Sequence, residues 1–361
     1  MTRPRARDLG LDFPGTPGRY NSITDVAGVR VGYCTLTDPA RNIRSGVTAI
    51  IPRADNGFPR PVWAGQHTLN GNGEMTGTHW INDAGYFKGP VCITNTHSVG
   101  MVHHGAIQWM LKQYPDFYAT EHAWIMPVVA ETYDGVLNDI NAQHISHEHA
   151  LEALDNATSG AIEEGCVGGG NGMICYEFKG GTGTASRRVE IDGNEYTLGA
   201  LVQANHGIRP WLTILGAPVG RHMTEGRLLA QETGSIIVVL ATDAPLSSLS
   251  LRHVARRAAL GIGRGGSPGG DSSGDIFLSF SLADDGSAPG DTPSTLQRTY
   301  LKSEYLDPLY LAAVESVEEA VVNAMVAAED TPTFKSEQKT CFAIDHAQLQ
   351  ETMRRYGRLK T

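Results

Sequence analysis

His144, His147 and His149, with Glu148 among them, form the densest group of potential metal ligands in the chain. Their spacing is not the H-E-x-x-H of a helical zinc site, and a polar helix start accounts for them equally well. The adjacent pair His103 and His104 presents the same alternative. Residues 261–266 (GIGRGG) spell a G-x-G-x-x-G string, which holds a pyrophosphate only between a strand and the helix it opens. Here the string follows a helical pattern and runs into Ser-Pro-Gly-Gly, which argues against a dinucleotide. Residues 168–172 lack the Lys-Ser/Thr that completes a phosphate loop. Glu74, in the loop 70–77 (NGNGEMTG), suits substrate or structural contacts, turn stabilisation being the commoner role of such a carboxylate. A serine hydroxyl needs a base within hydrogen-bond reach to attack at neutral pH, and nothing in the residues around Ser235 by themselves marks it as a nucleophile.

The elements that must carry these groups are of both kinds. Short runs rich in β-branched residues, bounded by Gly or Pro, predict strands at 29–34, 47–52, 91–95, 124–129, 198–205, 236–241 and 276–280. The run 236–241 is apolar without interruption, as a strand covered on both faces should be. Helical periodicity marks 103–114, 147–157 and 246–262, the last with serines at its start and Arg252, Arg256 and Arg257 along one side. An amphipathic helix is predicted over 309–328, and Asp345 is placed to cap a last helix through Arg355. Strands and helices occur in both halves without strict alternation, which predicts a layered α/β domain. Glycine concentrates in 70–77, 166–183 and 261–274, stretches that read as tight turns or close backbone approaches.

Composition narrows the function classes. The chain has 361 residues, with 29 Lys+Arg against 39 Asp+Glu and a formal net charge of −10, and no basic run exceeds two residues. Nucleic acid and anionic membranes are therefore poor partners. Apolar residues make up 41% and charged residues 19%, which excludes disorder. The start, MTRPRARDLGLDFPG, has no apolar stretch behind its basic residues, so no signal peptide is expected, and no apolar run approaches the ~20 residues of a membrane helix. Five scattered cysteines, Cys34, Cys92, Cys166, Cys175 and Cys341, never fall in C-x-x-C spacing. They argue against a zinc ribbon or a disulfide scaffold and for reduced thiols in a cytoplasmic protein. No repeat or linker divides the chain, so residues 1–361 are expected to form one domain.

Six stretches share a pattern: 70–77, 131–139 (ETYDGVLND), 166–187, 202–207 (VQANHG), 233–246 (TGSIIVVLATDAPL) and 273–280 (SGDIFLSF). With 21–32 (NSITDVAGVRVG) they resemble, in order, the L-aminopeptidase D-amidase/esterase and β-peptidyl aminopeptidase family, and the likeness extends from about residue 20 to residue 330. The resemblance implies a four-layer α/β/β/α sandwich of the N-terminal-nucleophile-hydrolase-like (DmpA/ornithine acetyltransferase-like) type. It implies a precursor that cuts itself before a serine, which then becomes the N-terminal catalyst. The matching bond is Gly234–Ser235, giving an α-chain of residues 1–234 and a β-chain of residues 235–361. A cut at the rival Ser273 would leave a β-chain short for the family, whereas Ser273 and Asp275 match its second serine and supporting acidic residue. By family position Tyr133 and Asn205 are the oxyanion donors, and Glu131 binds the substrate ammonium group.

The chemistry of such a site is self-consistent. An N-terminal α-amine, with a pKa of roughly 7.7–8, can serve as the base for its own hydroxyl, so none of the 13 histidines is needed. Gly234 suits the cut if a strained backbone, open to glycine, exposes its carbonyl. The resemblance predicts an aminopeptidase acting on short peptides, and on amino-acid amides or esters, with no metal and no organic cofactor. It also implies a homo-oligomer of αβ units, a tetramer being one such arrangement. The alternatives are a non-processing binding protein on the same fold, an acyltransferase on a related self-cleaving scaffold, and a histidine-based metallohydrolase.

Overall fold

The computed structural model describes residues 3–53, 57–283, 298–335 and 339–360. Its main strands are β1 (Arg30–Asp38), β2 (Ile43–Ile51), β3 (Val62–Thr68), β4 (Tyr86–Phe87), β5 (Val91–Asn95), β6 (Val128–Thr132), β7 (Gly181–Ile191), β8 (Asn194–Asn205), β9 (Ser235–Thr242) and β10 (Ile276–Ser281). Its principal helices are α1 (Val99–Gln113), α2 (His147–Asp155), α3 (Ser248–Arg264), α4 (Asp307–Val326) and α5 (His346–Arg355). One sheet runs β1-β2-β5-β6 and the other β4-β3-β10-β9-β8-β7.

Alternation along the strands sorts side chains into three apolar layers. Val31, Ile50, Ile93 and Ala130 meet Leu201, Ile237, Val239 and Leu278 between the two sheets. On the far side of the smaller sheet, Val47, Ala49 and Val129 pack on Val102, Ala106 and Leu154 of α1 and α2. On the far side of the larger sheet, Val202, Ile236, Val238 and Phe277 pack on Leu251, Val254, Val317 and Ala320 of α3 and α4. The result is the α/β/β/α sandwich, and β9 sends alternate residues into two cores, which accounts for its unbroken apolar run. No helix among the described residues is long and apolar enough to cross a membrane.

Two expectations are corrected. The strand predicted over 124–129 begins only at Val128; Pro127 cannot donate to a ladder and Trp124 is 61% exposed. Helix α4 is not amphipathic. Glu315, Glu318 and Glu319 are as buried as its apolar side: the chain's first residues cover Glu315 and Glu319, while Leu215 and Arg264 meet Glu318. Arg187 and Arg7 pair with Glu319 at 2.8 Å each, and the Ala6 N–H donates to Asn323. Strand β7 falls outside the expected strands, its start lying in the glycine-rich 166–183. A Cβ at Gly183 would stand 2.0 Å from the Ala320 carbonyl oxygen, so small residues there let α4 lie on the sheet.

Candidate active site

The site begins with strand register. β8 and β9 are antiparallel, and their last pair sets Asn205 opposite Ser235. β9 and β10 are parallel, joined through α3, so the loop entering β10 arrives at the same end as Ser235. That loop carries Ser273-Gly274-Asp275. The Gly274 N–H donates to Ser235 Oγ (2.9 Å) and the Ile236 N–H donates to Asp275 Oδ1 (3.2 Å). Ser273 is wholly buried and hydrogen-bonds the Asp275 carboxylate, while Asn70 Nδ2 donates to Ser273 Oγ (2.9 Å). Burial pushes the Asp275 pKa up to about 7, against the opposing Ser273 and Ile236 hydrogen bonds.

Asn205 is held at both ends of its amide: Oδ1 accepts from the Ile174 N–H (2.8 Å) and Nδ2 donates to the Tyr133 carbonyl (3.1 Å). One amide hydrogen remains for another acceptor. Tyr133 follows β6 and its hydroxyl accepts from Lys335 Nζ (2.5 Å). Tyr133, Asn205, Thr233 and Gly234 line one narrow pocket of ≈ 20 Å³. The chain's own residues before Ser235 thus form part of its wall.

Gly234 is required for space. Its φ is not in the left-handed region, which corrects the expectation of backbone strain. A Cβ there would lie 1.9 Å from the Asn205 carbonyl oxygen, a backbone atom that cannot step aside.

Glu131 points into the site from β6 and is only 4% exposed. The loop 70–77 crosses it through a bridge between Met75 and Ala130, and the Glu74 N–H donates to Glu131 Oε1 (2.9 Å). The Thr96 hydroxyl donates to the other oxygen. Burial raises the Glu131 pKa, while the Thr96 and Glu74 hydrogen bonds oppose that rise. Among the described residues no basic side chain is ion-paired with Glu131, so the carboxylate can meet an incoming cation. Glu74 contributes its backbone here; its side chain is exposed.

Ser235, Ser273, Asp275, Tyr133, Asn205, Glu131 and Gly234 thus occupy one end of the larger sheet and the adjoining edge of the smaller one. The histidine group 144–149 lies elsewhere, at the start of α2. His149 Nδ1 accepts from the Ser146 N–H (2.9 Å) at the start of α2, and His147 sits 3.1 Å from Glu148. Among the described residues no three His, Cys, Asp or Glu side chains converge as a metal-ligand set. The string 261–266 ends α3, where Gly261 permits close approach of Val317 from α4. Sequence reasoning missed Asn70, Thr96 and Lys335. Asn70 at least sits in a motif that it did single out; the others carry no local signal.

The geometry has close counterparts. A model described as peptidase family S58 matches residues 21–339. The chain is 47% identical to the beta-peptidyl aminopeptidase BapA of Sphingosinicella microcystinivorans, the match covering 99% of this chain and 93% of that protein. It resembles the structure of the L-aminopeptidase D-Ala-esterase/amidase from Ochrobactrum anthropi, described as a prototype serine aminopeptidase and a variant of the Ntn hydrolase fold. The TM-score is 0.94, with 56% identity and coverage of 99% of this chain and 100% of that one. A Burkholderia sp. beta-aminopeptidase superposes with TM-score 0.89 at 44% identity, over 98% and 99% of the two chains.

Proposed function

Since the chain belongs to peptidase family S58 and is an aminopeptidase hydrolase of the N-terminal-nucleophile type, we propose that Ser235 is its nucleophile and that the chain frees it by cutting Gly234–Ser235. In the precursor, Ser235 Oγ attacks the Gly234 carbonyl carbon, and the peptide nitrogen leaves that carbon as the amine of Ser235. Water then hydrolyses the resulting ester, giving a Gly234 carboxylate and a free Ser235 hydroxyl. Asp275 and Ser273 are the groups placed to manage protons before any amine exists.

In the mature enzyme the Ser235 amine takes the hydroxyl proton as Oγ attacks the substrate carbonyl. The remaining Asn205 amide hydrogen and the Tyr133 hydroxyl stabilise the oxyanion. Glu131 holds the substrate's ammonium group by a charge-assisted hydrogen bond. Short peptides and amino-acid amides or esters are the substrates, the amine being the feature that a buried, unpaired carboxylate selects. Both fragments supply strands to the larger sheet, where β9 and β10 lie between β3 and β8, so cleavage leaves them interlocked. We further propose that the αβ unit assembles into a homo-oligomer in the cytoplasm.

The observation that carries the reading is the convergence of Ser235, Asn205 and the 273–275 loop at one strand end. Denaturing electrophoresis with N-terminal sequencing tests it: wild type gives fragments 1–234 and 235–361, the smaller beginning Ser-Ile-Ile. Ser235→Ala leaves one inactive chain, and Ser235→Cys, whose thiol makes the same attack, cuts slowly. An active, uncut wild-type chain would sink the reading.

A further inference from the structure

Glu232 lies three residues before the proposed cut, and none of the roles above uses it. The Gly207 N–H donates to its Oε1 (2.7 Å), and Gly207 is two residues beyond Asn205. Its Oε2 is buried against the opposite loop: a Cβ on Gly270 would stand 2.4 Å from it, and Ser267 lies beside it. The Ser272 hydroxyl donates to the main-chain carbonyl of Glu232 (3.2 Å). One residue therefore touches both the strand end that carries Asn205 and the loop that carries Ser273 and Asp275. Upstream, Glu177 Oε1 accepts from the Leu228 and Leu229 N–H groups (2.7 and 2.8 Å), so the approach to the cut is anchored at two places.

We propose that Glu232 is a positioning residue for self-cleavage, its carboxylate clasping the segment that ends in Gly234 between the Asn205–Gly207 turn and the 270–275 loop. The inference rests on Gly234–Ser235 being the bond that is cut. Attack by a neighbouring hydroxyl requires the carbonyl to be held in line with it, because orientation supplies much of the rate of an intramolecular reaction. A flexible loop wastes that advantage, and two fixed contacts two residues before the carbonyl restrict it. The clasp also explains why a partly buried carboxylate with no ion-pair partner among the described residues is placed beside Asp275, whose own pKa it raises. Its function precedes the cut, when the held segment is still a substrate.

The test follows full-length chain made in a cell-free reaction and sampled over time on denaturing gels. Glu232→Gln, which keeps the shape but loses the charge-assisted bond, slows cleavage about tenfold or more, and Glu232→Asp restores part of the rate. Gly270→Ala attacks the same clasp from the other side, displacing a flexible carboxylate and not the backbone, and slows cleavage as well. Enzyme that has completed cleavage in the Gln variant keeps wild-type kcat and KM, which a general structural lesion would not. A wild-type cleavage rate in either folded variant overturns the proposal. Ser235→Ala run in parallel separates the two levels: if it is cut, the cut-site reading itself fails; if it stays whole while Glu232→Gln cuts normally, the clasp alone is wrong.

Discussion

Asn205 and Ser235 are register partners at the ends of two antiparallel strands, and the Asn205 carbonyl occupies the space that a side chain on Gly234 would need. One backbone pairing thus sets the proposed oxyanion donor beside the proposed nucleophile and limits residue 234, before the proposed cut, to glycine. A sheet register is a stiff device, since a slip by one residue would turn every side chain of β9 to the wrong core.

Gly234→Ala tests that relationship. The added methyl must push β8 and β9 apart where β8 ends and β9 begins, an overpacking cost of ~1–3 kcal/mol. The expected result is a chain with a lowered thermal midpoint that remains largely uncut on denaturing gels. Normal cleavage would show that the Asn205 carbonyl yields easily.

Asn205→Ala removes a donor from the oxyanion and also strands the buried Ile174 N–H that its Oδ1 accepts. Steady-state kinetics on an amino-acid amide should show kcat lower by ~10²–10³. Calorimetry should show a stability loss of ~1–3 kcal/mol from the orphaned donor. A variant with reduced stability but full kcat would take Asn205 out of the oxyanion site.

Glu131→Gln keeps the hydrogen-bonding shape seen by Thr96 and Glu74 and removes the charge. Turnover of substrates with a free α-amine should fall sharply, mainly through KM, while self-cleavage, which presents no amine, proceeds at close to its normal rate. Equal damage to both processes, compared by gel and by amide hydrolysis, would remove Glu131 from ammonium recognition.

Asp275 gives a pH signature. Its carboxyl has a folded-state pKa raised by burial to about 7 from an ordinary 3.8, so between those values the native state binds a proton that the unfolded chain has released. Stability from this group is therefore fully present below about 4 and lost as pH rises through about 7. In the uncut Ser235→Ala background, Asp275→Asn should flatten the fall in thermal midpoint over that window. After cleavage the Ser235 ammonium group appears beside Asp275 and pulls its pKa down, so cut enzyme should lose less stability over the same range. Identical pH profiles for the Ser235→Ala chain with and without Asp275→Asn would refute the assignment.

Much of this architecture was legible in the chain. The unbroken run 236–241 announces a strand buried on both sides, Asp345 caps its helix through the Gln348 N–H as its type suggests, and the serines before 250 begin α3. Motif order pointed to Ser235, Asn205, Tyr133 and Glu131, although their roles came from resemblance and not from local chemistry. Strand β7 and the buried acidic face of α4 were not legible, because both depend on what another segment lays against them.

By itself, then, the sequence determined most of the elements, the broad layering and the acidic charge balance, and through its resemblance it named the candidate reacting groups. Tertiary structure alone decided what a side chain at residue 234 would strike, that Glu131 meets Thr96 and a backbone N–H but no salt-bridge partner among the described residues, and that Asn70 reaches Ser273 and Lys335 reaches Tyr133. The division has a physical cause. Periodicity of 2 or 3.6 residues records which face of an element is buried, whereas a site is assembled from loops as distant as Asn70 and Ser273, whose contact leaves no trace in the local order of residues.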